Sequence, residues 1–294
     1  MQAGILLAFA AYFSFAGADA SLKWIGSDLP IFEIGFFVSL FALLPALFTK
    51  RPEDNWGNVF VPKRPGLLAL RMLSGTLGGI GGVIAFTTLP LAEAYALIFL
   101  LPIFVTVFSR VVLKEPVGWR RWLAVFGGLI GVLLVVRPGF REILPGHFAA
   151  ILVAICGAAT VIILRVLGPS ERRITLIGAV LVAGIVVNGV LMIPNFETPG
   201  PALWPVLLLG GVFAGMGHLL IVFATRLAPA ARVAPTQYSQ IVWAAVIGAT
   251  FFGEYPDGLA MVGMALVGVS GLFTLVREEQ RFGWPSRIPL IRNR

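Results

Sequence analysis

A chain of 294 residues that is 58% hydrophobic and only 12% charged, with a mean hydropathy of +0.94, cannot hide its apolar surface in a water-soluble core, since soluble domains carry roughly 25% charged residues. The formal net charge of +8 invites a nucleic-acid reading, which the placement of the basic residues below argues against. Cys156 is the single cysteine, so no disulfide can form within the chain and a metal cluster has little to build on.

The apolar residues fall into ten runs, each near the length of about 20 residues that crosses a hydrocarbon core. They cover residues 3–22, 29–48, 65–89, 92–113, 119–136, 146–167, 174–192, 202–227, 231–252 and 257–275. Span one has no basic leader and no small-residue cleavage site, so it reads as a retained helix. Ser14 lies deep in it and can bond its own helix backbone. Asp19, about one turn from its end, either takes up a proton or pairs with Lys23 four residues on. Span three carries Ser74, Gly78 and Gly82 at four-residue spacing, a small-residue face that lets helices approach closely. The hairpin Leu89-Pro90-Leu91 is so short that spans three and four must be antiparallel neighbours. Glu93 opens span four as a charge at a helix N-terminus. Tyr95 offers an aromatic face to a vestibule, and the span ends on Glu115. Span five has Gly127 and Gly131 and stops at Arg137-Pro138-Gly139, while span six stops at Gly168-Pro169-Ser170.

Span eight holds Gly211, Gly215 and, near its middle, His218. An imidazole there suits substrate binding, a proton shuttle or a bond to a neighbouring carbonyl, because its ordinary pKa sits nearest neutrality. Span nine begins with Thr236-Gln237-Tyr238-Ser239-Gln240. Five polar residues in a row exceed one helix turn, so not all can face one cavity. Gln237 and Gln240 share a face that Thr236 and Trp243 extend. That face either lines a substrate cavity or supplies interhelical hydrogen bonds. The span ends on Glu254, placed as Glu115 is in span four. Both glutamates read as structural or gating caps that bond the backbone of a neighbouring helix.

Cytoplasmic loops hold the excess of Lys and Arg. With the N-terminus inside, all but Lys23, Arg137 and Arg141 of the 22 basic residues fall on the cytoplasmic side. The positive charge is thus a topology signal, and the N- and C-termini are both expected in the cytoplasm. Spans four and nine echo one another, as do the halves generally. Five spans per half is an odd number, so the second half must enter the membrane from the opposite side. The expected fold is an all-α integral membrane protein of ten transmembrane helices in two inverted five-helix repeats, residues 1–139 and 140–276, with a basic tail at 277–294. Inverted repeats of this kind give secondary transporters with a site where the halves meet. Asp19 and His218 are the proton-coupling candidates. Gly78, Gly82 and Gly215 are packing or rocking positions.

The run 86–139 resembles the first repeat of the EamA-type transporters of the drug/metabolite transporter superfamily. It shows an alanine-containing hairpin, Pro102, Lys114-Glu115, a glycine-rich span and the Arg137-Pro138-Gly139 stop. The second copy shows Phe223, Ala231, Gly253-Glu254, Leu259-Ala260 and Gly268-Val269. Residues 29–45 resemble the family's second span, with Val38 where the family commonly has an arginine. The resemblance implies ten helices and movement of small metabolites across the cytoplasmic (inner) membrane. Superfamily members include exporters of amino acids, notably aromatic ones, and carriers of nucleotide-sugars.

An exporter of small organic metabolites working by alternating access is the leading expectation, with amino acids including aromatic ones as candidate substrates. A carrier of nucleotide-like metabolites is the alternative. A membrane-embedded enzyme lacks a G-x-S-x-G, H-E-x-x-H or metal-ligand cluster, and a channel lacks a filter segment. No cofactor motif is present. The partners expected are the lipid bilayer, a small-molecule substrate and protons, with no nucleic acid. One chain holds both repeats, so a monomer suffices and a dimer stays compatible. The orientation is checked with C-terminal fusions. Green fluorescent protein after Arg294 should fluoresce and alkaline phosphatase there should be inactive. The reverse pattern would invert the assignment.

Overall fold

The computed structural model describes residues 2–50, 53, 57, 61–112, 114, 118–137, 142–167, 171–228 and 233–281, and these are helices joined by short turns. In chain order the helices are α1 (Gln2–Ile25), α2 (Ile31–Ala46), α3 (Pro65–Thr88), α4 (Leu91–Ile98), α5 (Leu101–Val111) and α6 (Trp119–Val136). They are followed by α7 (Pro145–Leu167), α8 (Arg173–Met192), α9 (Leu203–Leu227), α10 (Ser239–Phe252) and α11 (Gly258–Arg281). Seven stretches among the described residues are long and apolar enough to cross a membrane, α4 and α5 counting together as Leu91–Val111. Expected spans five and ten correspond to α6 and α11, and α10 covers only the second part of expected span nine. Helix α10 has 14 residues, or about 21 Å at 1.5 Å per residue, and a 3-10 turn Ala234–Tyr238 extends it.

Prolines set several of the ends. Pro30 and Pro90 precede α2 and α4, and Pro65 opens α3, where the missing N–H costs nothing. Pro102 sits in the first turn of α5. It cannot donate to Ile98 O and its ring clashes with that carbonyl. Span four is accordingly broken at Phe99–Leu100. Gly253 ends α10 with φ +64°, and Glu254 N donates to Gly248 O at 2.9 Å. This is the left-handed C-terminal cap that glycine adopts without steric cost.

In the bundle α1 packs on α9, and α3 packs on α7 and α8. Helix α2 lies against α8 and α9, α6 against α11, α10 against α1 and α4, and both α4 and α5 against α7. Glycines make the closest crossings. A Cβ on Gly131 would lie 2.7 Å from Gly263 O, and one on Gly263 would lie 2.6 Å from Gly131 O. Gly211 meets Val38 O, and Gly215 meets Ala42 O and Pro45, so α9 rests on α2 almost backbone to backbone. Gly78 faces Cys156 Cβ at 3.3 Å. Gly82 departs from the expected packing face, because nothing lies within 4 Å of where its Cβ would be. The α3–α7 contact runs instead through Gly78 and Gly81, with Gly81 against Ala149 O.

These crossings fix two expected outcomes. Gly131→Ala should destabilise the purified protein by about 1–3 kcal/mol, as overpacking does. Gly82→Ala should be neutral or stabilising by up to about 1 kcal/mol, through the helix preference for alanine. Unfolding temperatures in detergent check both. Equal destabilisation by the two would refute the contact assignment.

Candidate functional site

One end of the bundle is tied shut. Lys23 Nζ lies 2.6 Å from Glu254 Oε1 and donates to Leu89 O at 2.8 Å. Leu91 N donates to Glu254 Oε2 at 3.0 Å. The pair therefore joins α1, the α3–α4 hairpin and the end of α10, with Lys23 also 5.5 Å over the Phe252 ring. The left-handed Gly253 turns the chain so that Glu254 points back along α10. Lys23 thus does not pair with Asp19, although that partner is one turn away. Arg137 pairs with Asp257, whose Oδ1 also accepts from Ala260 N at the start of α11. Glu93 Oε1 meets His147 Nε2 at 3.0 Å, with both residues buried. His147 lies in the first turn of α7, and Glu93 is a buried partner and not only a helix-terminal charge.

Inward from this end lies a polar and aromatic cluster. Tyr95 OH donates to Asp19 Oδ2, and Gln240 Nε2 donates to Tyr95 OH at 3.4 Å. Tyr95 is 2% exposed, so it does not open on a vestibule. The tight hairpin turns its ring inward, between Phe86 and Phe99. Phe99, at the break between α4 and α5, stacks on Tyr238 with centroids 5.1 Å apart. Trp243 meets the Phe13 ring edge-on at 5.0 Å. Tyr238 OH, Ser239 Oγ and Trp243 Nε1 are buried and have no hydrogen-bond partner among the described residues. Buried donors are normally satisfied, so three idle ones beside a helix break stand out. Thr236 turns its hydroxyl onto Val233 O at 2.6 Å, away from any path. The 3-10 turn also removes Gln237 from the regular helix that carries Gln240 and Trp243. Gln237 is half-buried, and Ser14 is buried in α1.

The direction of His218 follows from its neighbours on α9. Gly210, Phe213, Gly217 and Ala224 meet Ser21, Gly17, Phe15 and Gly4 of α1. Gly211 and Gly215 meet α2. Leu208, Leu209, Phe223 and Leu227 form an exposed apolar stripe, the lipid side. At 100° per residue His218 falls between the α1-facing and α2-facing sets, opposite that stripe. It is nonetheless exposed, with its ring edge-on to Phe15 at 5.1 Å. An exposed side chain on an inward arc marks a cleft between helices. Thr225, two turns farther along the same line, is also exposed, whereas Leu207, three turns back, is 0% exposed. The cleft opens toward the C-terminal end of α9 and is closed toward the Lys23 end.

Arg71 completes this cleft. Sequence placed it among the loop cations, but it lies more than one turn inside α3 and is half-buried. Its Nη1 donates to Thr160 Oγ1 at 3.2 Å, and Ser74 Oγ lies 3.2 Å from the same oxygen. Its Nε is buried without a partner. The detectable signal was Arg71 standing inside an apolar run, six residues past the proline that opens it. Arg226 is exposed, 5.5 Å over the Phe223 ring on the lipid side. Glu115 lies outside the described residues, as does the side chain of Arg165.

The EamA-like transporter family model matches this chain twice, over residues 2–137 and 144–276. A pseudopaline exporter, CntI, of Pseudomonas aeruginosa is 28% identical over 92% of this chain and 95% of its own. An S-adenosylmethionine uptake transporter of Rickettsia felis is 25% identical, covering 89% of this chain and 88% of its own. A riboflavin transporter of Rhizobium johnstonii is 28% identical over 74% and 76% of the two chains. A solved crystal structure superposes with a TM-score of 0.65 at 14% identity, covering 96% of this chain and 99% of that one. That last likeness speaks for the fold alone.

The tie at the closed end makes a graded prediction. Glu254→Gln removes the charge but keeps an acceptor for Leu91 N, whereas Glu254→Ala removes both. Each hydrogen bond to a charged group contributes roughly 1.5–3 kcal/mol. Thermal unfolding should therefore rank Glu254→Ala as the more destabilised, by at least about 1 kcal/mol. Identical unfolding of the two variants would mean that Leu91 N does not depend on Glu254.

Proposed function

We propose that this chain, which belongs to the EamA-like transporter family, is a secondary carrier exporting small organic metabolites by alternating access. That it is a multi-pass membrane transporter follows from the family and from its apolar helices. The observation that carries the finer reading is the cleft itself. His218 and Arg71 face an opening at one end, while Lys23, Glu254 and the Leu91 amide close the other. A carrier caught open to one side has this form.

Two features support inverted repeats, residues 1–139 and 140–276, with 277–294 as a tail. The family model matches each half. The helix partners also exchange consistently if α1, α2, α3, α4 with α5, and α6 are swapped for α7, α8, α9, α10 and α11. The α1–α9 contact then becomes α7–α3, and α2–α9 becomes α8–α3, while α2–α8 and α6–α11 map onto themselves. The charge bias puts both termini in the cytoplasm, so the open end of the cleft faces inward. One chain supplies both halves, so a monomer suffices and a dimer stays compatible.

The leading substrates are amino acids, including aromatic ones, for which Phe99, Tyr238, Phe13 and Trp243 provide ring contacts. The relatives named for S-adenosylmethionine and riboflavin favour a second reading, a larger nucleotide-like metabolite. Asp19 and His218 are the proton-coupling candidates, Asp19 because its carboxyl has, among the described residues, only the Tyr95 hydroxyl as a hydrogen-bond partner. Glu254 and Gly215 serve as gate and pivot, Gly78 as a packing position of α3, and Ser14 and Gln237 as flanking polar groups.

Proteoliposomes loaded with unlabelled amino acids, nucleosides, S-adenosylmethionine or riboflavin test this by counterflow of an external tracer. Trans-stimulated uptake of an aromatic amino acid is expected, reduced at least about tenfold by His218→Ala, the scale of one lost substrate contact of about 1.4 kcal/mol. Counterflow with S-adenosylmethionine or riboflavin only would select the second reading. None with any compound would reject both.

A further inference from the structure

We infer that the path takes an extended zwitterionic metabolite, its anionic group on Arg71 and its cationic group on Asp19, an inference that rests on the reading of this cleft as a substrate path. At the closed end Lys23 has Glu254 and Arg137 has Asp257 as opposite charges, and Glu93 has the His147 ring as its hydrogen-bond partner. Along the path the pattern changes. Arg71 has a hydroxyl partner in Thr160 and an idle Nε, with no carboxylate in reach among the described residues. Asp19 has a hydroxyl partner in Tyr95 and no cation in reach among the described residues. Lys23, its nearest cation in sequence, is held by Glu254 and Leu89 O.

An unpaired charge inside a membrane protein is expensive and ordinarily faces a partner or a water-filled cavity. Two unpaired charges of opposite sign on one route cancel in sum but not in place. A ligand carrying both signs at the matching separation neutralises each where it stands. Planar guanidinium suits a carboxylate, which two N–H donors can grip at once. Asp19 with the Tyr95 hydroxyl offers oxygen acceptors, suited to an ammonium group.

The helices set the separation. Lys23 Nζ on Leu89 O brings the ends of α1 and α3 level. Asp19 lies four residues before Lys23, about 6 Å along the helix. The Arg71 guanidinium reaches back beside Gly75, where Nη1 would stand 3.1 Å from an added Cβ. Gly75 is fourteen residues before Leu89, about 21 Å. The two charges are thus about 10–15 Å apart along the path, once side-chain reach is allowed for. A free α-amino acid, with its charges on neighbouring atoms, meets one of them at a time. His218 falls between, since Gly210 sits at Ser21 and His218 is eight residues, about 12 Å, farther along α9. An uncharged middle section of the ligand would lie there.

Glycine oligomers serve as a ruler for the purified full-length protein, because each residue adds about 3.3–3.6 Å between the terminal charges. Stabilisation against heat should rise from glycine to a maximum at tri- or tetraglycine. N-acetylation or C-amidation of that peptide should weaken apparent binding at least tenfold. In Arg71→Gln the penalty for C-amidation should vanish while that for N-acetylation stays, and Asp19→Asn should do the reverse. If either variant fails to fold, Arg71→Lys and Asp19→Glu replace it and should shift the preferred length. Equal binding of free and blocked peptides, no stabilisation by any oligomer, or variants that do not separate the two ends would overturn the inference. Counterflow separates the two levels. Transport of free amino acids without the ruler pattern would sink only the extended zwitterion, while the ruler pattern without counterflow of any compound would sink the carrier.

Discussion

A polar group left unpaired in hydrocarbon is the cost that organises this molecule. Along most of each helix the backbone bonds itself and apolar side chains face the lipid, as Leu208, Leu209 and Phe223 do on α9. Where polar side chains cluster, they meet opposite charges or backbone groups from distant parts of the chain. Glu254 is the clearest case, accepting from Leu91 N and meeting Lys23, so that one carboxylate holds three chain segments. Several buried polar atoms break this rule, among them Glu33 Oε1, Thr76 Oγ1 and Asn188 Oδ1 as well as Arg71 Nε. Three of them, Tyr238 OH, Ser239 Oγ and Trp243 Nε1, fall within six residues of one another at the start of α10.

Irregular backbone makes the proposed path available. Pro102 breaks the span that contains Tyr95, and a 3-10 turn with a proline in its first turn precedes α10. The two irregular points meet at the Phe99–Tyr238 stack. Broken helices inside a membrane persist only where protein or an aqueous cavity covers them. Glycine does the complementary work, bringing α9 onto α2 and α6 onto α11 at backbone distance. Rigid crossings of that kind let groups of helices move as bodies around a softer interior.

Much of the fold was legible in the chain and its partners were not. Periodicity and length located the helices, and the proline and glycine stops set their ends. A face can be read from spacing, but its partner cannot. Lys23 looked to Asp19 four residues away, whereas the bundle gave it Glu254, and Asp19 took Tyr95 of α4. Gly82 had the right spacing for a crossing and no helix opposite it. Thr236 and Gln237 were projected onto a regular helix that begins only at Ser239. Arg71 was counted with the loop cations because positive charge near a span end usually marks topology. Its inward turn depends on Thr160 in another helix, which spacing does not reveal.

Labelling shows whether His218 is reached from one side of the membrane only. A His218→Cys protein with Cys156→Ser would be treated with a membrane-impermeant maleimide in right-side-out and in inverted vesicles. Modification is expected from the side bearing the C-terminal end of α9 alone. Adding Lys23→Ala should let reagent in from the other side as well. Modification only from the Lys23 side, or from neither side in either protein, would contradict this one-sided access.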